Sequence, residues 1–340
     1  MNVTEHQRPG VYSVYDASSV VWGSARGKTA AVAAISAKGT AGKIYPLSSY
    51  EQAVEIFTKE ENITSYIHLL LSNGAAQVYA VPVEKESGYA AAFTALEAVE
   101  VVAVVVCESE TLTVQQALRD SVKRASESRR ERLAVVCGGE GETAAQLVER
   151  AGSLNSERVV LVAPGGASAA AAVAGAIAGE TDPAVPLGGA ELKGITALDT
   201  VWSDNELDTL ILGGVTPLEA SGGIVSVVRG VTTRTKTGSV SDATWRELTT
   251  IRIIDDVIPG LRNALRAKFS RAKNTEQGRG AIRSQVIVEL EAKVNSEIIT
   301  GYDNVTVSAL EDNPTVCLVE FQFTVAHGLN QIWLSAHITV

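Results

Sequence analysis

Between residues 101 and 178 the chain repeats one pattern three times: a short, wholly apolar run followed by a segment with helical spacing. The runs are VVAVVVC at 101–107, LAVVC at Leu133–Cys137 and VVLVA at Val159–Ala163, and the helical segments are 113–126, 143–151 and 168–178. A strand solvated on one face alternates apolar and polar residues, whereas a strand covered on both faces reads as continuous Val, Ile and Leu. Apolar strands that alternate with helices imply right-handed crossovers and a largely parallel sheet with helices on both sides. Residues 159–179 are uncharged and about long enough to span a bilayer. Pro164-Gly165-Gly166 divides them, however, so the expected structure is a buried strand, a turn and an Ala-rich helix.

The rest of the chain extends this α/β reading. Residues 30–36 read as a buried strand, 50–57 and 63–71 as helices, 77–83 as a strand and 88–98 as a weakly amphipathic helix. The segment 181–193 is loop-like and is a candidate hinge between domains, and 204–212 is helical or extended. Residues 224–228 form an apolar β-branched run, 232–238 break the pattern and are expected to be exposed, and 245–254 resume as an extended or buried segment. From Asp255 the period becomes helical, with Ile258, Leu261, Leu265, Phe269 and Ala272 in one stripe and Asp255 as the expected N-cap. Pro259 then falls in the first turn, where a missing N–H costs little. A polar loop at 273–280 and an amphipathic helix at 281–294 follow, and the C-terminus is all strand: 305–308, 315–326 and 331–340.

With 340 residues, 46% hydrophobic and 20% charged, the chain has the make-up of a globular protein with two or three domains. Aromatic residues are only 5%, so the cores rest on Val, Ala, Leu and Ile. A net charge of -10 and a pI near 5.1 argue against nucleic acid or an anionic membrane as the main partner. Against that background, Arg262, Arg266, Lys268, Arg271 and Lys273 concentrate positive charge opposite the apolar stripe, which suits a solvated surface or a docking face for an acidic partner. Cys107, Cys137 and Cys317 lie in apolar runs and are too few for a disulfide framework, as expected of a reducing compartment. The first ten residues carry no apolar core of a secretion signal.

Reactive chemistry is hard to assemble from these residues. The segment WGSARGKT at 22–29 ends like a phosphate loop, but its first glycine is one position out of register and a strand, not a helix, follows Lys28. Gly139-Glu140-Gly141-Glu142-Thr143-Ala144 fits a dinucleotide turn, yet Glu140 and Glu142 put negative charge where a pyrophosphate would sit. Acidic complementation of a helix start explains the turn better. His6, His68, His327 and His337 have no Cys or carboxylate at metal-ligand spacing. Glu108 and Glu110 follow a sheet strand, where an α/β enzyme could place a base, but nothing adjacent completes a site. No cofactor or metal is expected.

Several ordered segments resemble the contractile tail sheath proteins of bacteriophages, phage-tail-like bacteriocins and related injection particles. They are Arg8-Pro9-Gly10-Val11-Tyr12, the series from Tyr45-Pro46-Leu47-Ser48-Ser49-Tyr50-Glu51 through Ser72-Asn73-Gly74-Ala75 to Val78-Tyr79, and Val159-Val160-Leu161-Val162-Ala163-Pro164-Gly165. Leu212-Gly213-Gly214-Val215-Thr216-Pro217-Leu218 continues the order, and Val228-Arg229-Gly230-Val231-Thr232-Thr233 with Trp245-Arg246-Glu247-Leu248 is the strongest match. No single motif is diagnostic; the order and spacing are. The resemblance spans nearly the whole chain, which is short for the family.

The resemblance implies an α/β fold with an N-terminal extended arm at 1–20, an α/β domain at 21–190 and a C-terminal α+β domain at 191–340. Its terminal strands would pair with neighbouring subunits. It implies a structural subunit that polymerises around an inner tail tube and contracts after a baseplate trigger. Its partners would be further copies of the chain, the tube, and baseplate and tail-terminator proteins, with no membrane insertion. The arm residues Val11, Tyr12 and Val14 and the C-terminal Ile332, Leu334, Ala336, Ile338 and Val340 would add strands to adjacent subunits. The basic helix residues Arg262, Arg266, Lys268, Arg271 and Lys273 would face the tube. Such a particle subunit is made in the bacterial cytoplasm and ends in the tail. A nucleotide-dependent enzyme using Lys28 or Gly139 and Gly141, or another self-assembling shell or tube, are the rival readings.

Overall fold

The computed structural model describes residues 28–329. The strands β1 (Thr29–Ile35), β2 (Tyr45–Leu47), β3 (Gln77–Val83), β4 (Val104–Cys107), β5 (Leu133–Cys137), β6 (Val159–Ala163), β7 (Val215–Ser221) and β8 (Ile224–Val227) form one sheet. Their order is β2-β3-β1-β4-β5-β6-β7-β8. All neighbours from β3 to β7 are parallel, and only the outer strands β2 and β8 run antiparallel. Gly222 and Gly223, at φ 60° and 83°, make the tight β7–β8 turn, a conformation in which a side chain is strained.

Alternate residues of each strand enter two different cores. Ala30, Val32 and Ala34 face one side, which is covered by α1 (Tyr50–Phe57), α2 (Asn62–Ser72) and α6 (Gly166–Gly179). Ala31 and Ala33 face the other, beneath α3 (Tyr89–Glu97), α4 (Leu112–Glu127), α5 (Ala144–Leu154) and α7 (Asp204–Leu212). The Ala/Gly content of α6 has a steric cause. A Cβ on Gly175 would lie 2.7 Å from the Leu70 carbonyl oxygen, and one on Gly179 would lie 2.8 Å from the Gly74 Cα, so α2 and α6 touch backbone to backbone. No helix among the described residues is long and apolar enough to cross a membrane.

The sheet continues well past residue 190. The segment 181–193, expected as a hinge, is a fixed edge: the N–H groups of Gly189 and Leu192 donate to the carbonyls of Val227 and Val225, and Leu187 and Leu192 are buried. The N–H of Val227 donates back to Ala190, so the outer edge of β8 is covered rather than free.

Helix α8 (Leu248–Phe269) joins this body to the C-terminal elements. It begins seven residues before the expected start at Asp255. The segment 245–254, expected as extended or buried, is buried but helical from Leu248: Leu248, Ile251 and Ile254 repeat at three-residue steps and reach the sheet's own core. Pro259 is therefore mid-helix, where it removes one backbone bond. On the other side of α8, Ile253, Val257, Ile258, Leu261 and Leu265 make a third core with α9 (Glu276–Asn295) and β11 (Ile299–Leu310). The helix α9 starts earlier than expected, absorbing part of the 273–280 loop, with Thr275 capping the Gly278 N–H. A further departure lies at 232–238. Thr232 and Thr233 are fully buried, because their hydroxyls donate to the Trp245 and Ser156 carbonyls. Beyond them a two-residue ribbon, β9 (Lys236–Thr237) with β10 (Val240–Ser241), is exposed. The last strand among the described residues, β12 (Asn313–Val325), pairs antiparallel with β11.

Candidate assembly surfaces

In an open α/β sheet the place for a ligand is the crevice at the strands' carboxyl ends where the chain direction switches. Here that point lies between β1 and β4, and Glu108 fills it. Its carboxylate accepts from the Ile35 N–H (2.7 Å), Asn62 Nδ2 (3.1 Å), Tyr66 Oη (3.2 Å) and Tyr89 Oη (3.4 Å). Burial, then the Glu108 charge, raises the Tyr66 hydroxyl above the ordinary phenol range, and Tyr89 is raised by burial, Cys107 and Glu108. A carboxylate holding four donors is a tie between elements, not a base waiting for a proton.

The Gly139 loop is closed in the same way. Glu142 accepts the Gly139 N–H at 2.9 Å and pairs with Arg150 at 2.6 Å, while the Glu140 N–H donates to Glu110 at 3.0 Å. Burial raises the Glu142 carboxyl, but Arg150 and the Gly139 N–H outweigh it and hold it below the usual range. Carboxylates thus occupy the N–H groups that a phosphate would need. The Cys137 thiol is pushed up to about 12, chiefly by burial, and Cys107 is raised further for the same reason, so neither is a nucleophile at neutral pH. Cys317 is only half-buried, unlike the other two. His68 packs against Tyr50 with the rings tilted by 56°, and the described residues hold no cluster suited to a metal ion.

What the fold does build is a set of ion pairs fastening α8 to the sheet. Arg158, at the head of β6, meets Asp255 through two bonds of 2.7 and 2.9 Å, with both side chains largely buried. Asp255 is a mid-helix anchor, not the expected cap. Burial lowers the Arg158 pKa and the Asp255 carboxylate more than restores it, so the net shift is upward. The next residue, Asp256, pairs with Lys293 and so ties α8 to α9, and two turns along from Asp255, Arg262 pairs with Glu131.

That last pair corrects the expected basic face. Arg262 is only 8% exposed and bonded to Glu131 at 3.1 and 3.2 Å, so it belongs to the interior. A guanidinium at the end of a three-methylene stem can lie on the polar side of a helical wheel and still be covered by a neighbouring element. Arg266, Lys268, Arg271 and Lys273 are exposed around the tip of the α8–α9 hairpin. Lys268 Nζ donates to Gln285 on α9 at 2.6 Å, which sets it on a different side from Arg266. The basic residues therefore wrap a tip instead of making one flat face.

A second exposed feature is the β11–β12 ribbon. It is a sheet of two strands, 12 and 13 residues long, and no described strand pairs with either outer edge. Val319, Phe321, Phe323 and Val325 pack on the third core yet stay half-buried, and no residue of β12 is fully buried. Long two-stranded ribbons are marginal alone and gain from added strands. Val11, Tyr12, Val14, Ile332, Leu334, Ala336, Ile338 and Val340, expected to add strands to adjacent subunits, lie outside the described residues.

Comparison with known proteins identifies the family. The phage tail sheath protein central domain matches residues 84–233, and the phage tail sheath C-terminal domain matches 240–339. The tail sheath protein of Bacillus phage SP01 is 29% identical over 228 residues, covering 62% of this chain and 39% of that protein. The chain thus matches about two-fifths of the length of this relative. Among solved structures, the helical sheath of the anti-feeding prophage in its contracted state superposes with a TM-score of 0.73 at 16% identity, over 98% of this chain and 99% of the other. A chain of that particle's baseplate gives 0.75 at 17% identity, covering 99% and 100%. The sheath tail protein of Desulfitobacterium hafniense gives 0.70 at 13% identity, covering 93% and 100%. With two sheath domains matched in order along most of its length, the chain belongs to the phage tail sheath family.

Proposed function

We propose that the chain is a structural subunit of a contractile tail sheath. It polymerises helically around an inner tube, and the polymer contracts to drive that tube through a target envelope. The observation that carries the reading is the β11–β12 ribbon: paired by no described strand on either outer edge and half-covered on its apolar face, it fits a sheet completed by strands from neighbouring copies. Val11, Tyr12 and Val14 at one end of the chain, and Ile332, Leu334, Ala336, Ile338 and Val340 at the other, supply those strands. Backbone ladders of this kind let subunits turn and slide without separating, because the links are formed by segments outside the rigid body.

The division of labour follows the earlier boundaries in outline: an arm at 1–20, an outer α/β domain, and an inner C-terminal domain carrying the linking strand. Arg266, Lys268, Arg271 and Lys273 face an acidic inner tube. Exposed charge contacts are worth about 0.2–1 kcal/mol each, weak enough to break during contraction. The particle contacts baseplate and terminator proteins at its ends and assembles in the bacterial cytoplasm. Its role in this reading is structural. The test is negative-stain microscopy of the full chain beside a version truncated before Ile332. Hollow helical tubes lost on truncation are the expected result, and tubes that survive truncation would refute the strand linkage.

A further inference from the structure

The charges of this chain are segregated to an unusual degree. From 194 to 228 there is no Lys, Arg or His, and five acids: Asp199, Asp204, Glu206, Asp208 and Glu219. From 257 to 275 the reverse holds, with Arg262, Arg266, Lys268, Arg271 and Lys273 and no acid. The acidic stretch contains α7, which packs into the body through Leu210, its one fully buried residue. Its outer side lines a groove of about 460 Å³ formed by Asp204, Leu207, Asp208, Ile211 and Leu212 with Val228 and Arg229. Leu212 is 63% exposed there, and Asp204 and Asp208, one turn apart, have no ion-pair partner among the described residues. Arg229, the groove's one cation, is already engaged by Glu247.

The geometry points to this groove as a docking site for the α8–α9 tip of a second copy of the chain. The match is in both sign and polarity. The groove offers apolar Leu207, Ile211, Leu212 and Val228 flanked by carboxylates, and the tip offers half-buried Phe269 and exposed Ala267 and Ala272 flanked by Arg271 and Lys273. Because the two surfaces are different patches of one chain, the contact is heterologous, and a heterologous contact that does not close propagates as a helix. In this contact Arg271 and Lys273 are taken by the neighbouring copy, which leaves Arg266 and Lys268 of the same tip for the tube. The inference rests on the polymeric reading above and adds a copy-to-copy contact distinct from the strand linkage.

The test pairs Asp208→Cys in one preparation with Arg271→Cys in another, both in a Cys317→Ser background, and treats the mixture with a short bismaleimide. A cross-linked dimer in the mixture, absent from either variant alone, is expected. In parallel, Asp208→Lys should raise the concentration needed for assembly severalfold, and adding Arg271→Glu should restore it. If no cross-link forms, in tubes or in concentrated soluble chain, the docking is overturned while tubes would still uphold the sheath. A cross-link without tubes upholds the docking and rejects the sheath. Failure of Arg271→Glu to rescue an Asp208→Lys chain that folds normally also overturns it.

Discussion

Replacing Asp255 by Asn leaves the shape of α8 intact but removes the charge facing Arg158. In the native chain that guanidinium makes bonds of 2.7 and 2.9 Å to the carboxylate, with side-chain exposures of 9% and 18% for the pair. The guanidinium's other contact, to the Arg132 carbonyl, is 3.4 Å long, too long to replace them. A buried cation stripped of its counter-charge costs about 3–5 kcal/mol. For a chain of 340 residues that corresponds to a fall in Tm of about 4–7 °C. The double variant Arg158→Met with Asp255→Leu should lie within ~1–2 kcal/mol of the parent, since apolar residues of similar volume need no pairing. The assay is thermal and urea unfolding followed by circular dichroism on all three variants and the parent. Asp255→Asn within ~1 kcal/mol of the parent, or a double variant as unstable as the single one, would refute the view that this pair fastens α8 to the sheet.

Other outcomes follow from the same contacts. Gly175→Val puts a side chain 2.7 Å from the Leu70 carbonyl and should destabilise by at least ~3 kcal/mol in a urea melt, or prevent folding. Arg262→Ala should cost stability through the stranded Glu131, whereas Arg266→Ala should stay within ~0.5 kcal/mol in unfolding yet weaken binding to the inner tube in a pull-down. Asp242 is held at about 2 by the Thr237 and Thr244 donors. Its folded pKa lies below the unfolded value of about 3.9, so its stabilisation is present above that value and is lost as pH falls toward 2. Asp242→Asn should therefore flatten the fall in Tm between neutral and acidic pH, without moving Tm further at low pH.

The sheet was legible because its strands are buried on both faces, and continuous runs such as Leu133–Cys137 and Val159–Ala163 leave little else to form. The start of α8 was not, because Thr249, Thr250, Ile251, Ile253 and Ile254 favour strands locally, and only contact with the sheet core makes them helical. Arg262 was misplaced for a related reason: a helical wheel separates polar from apolar residues but cannot show that Glu131, far away in sequence, covers one of the polar positions. One signal was available. Arg158 heads a wholly apolar strand, and Asp255 interrupts an apolar helix, and a charge in such company needs a partner. The closure of the Glu108 crevice depends on donors from β1, α2 and α3 together, which no local pattern reveals.

The most direct measurement of contraction itself is helical reconstruction by cryo-electron microscopy of the polymer, once assembled on its inner tube and once without it. Two lattices with different rise and twist, built from the same subunit body and still linked through the β11–β12 ribbon, are the predicted result. A single lattice unchanged by the tube would contradict contraction and leave a rigid tube or shell.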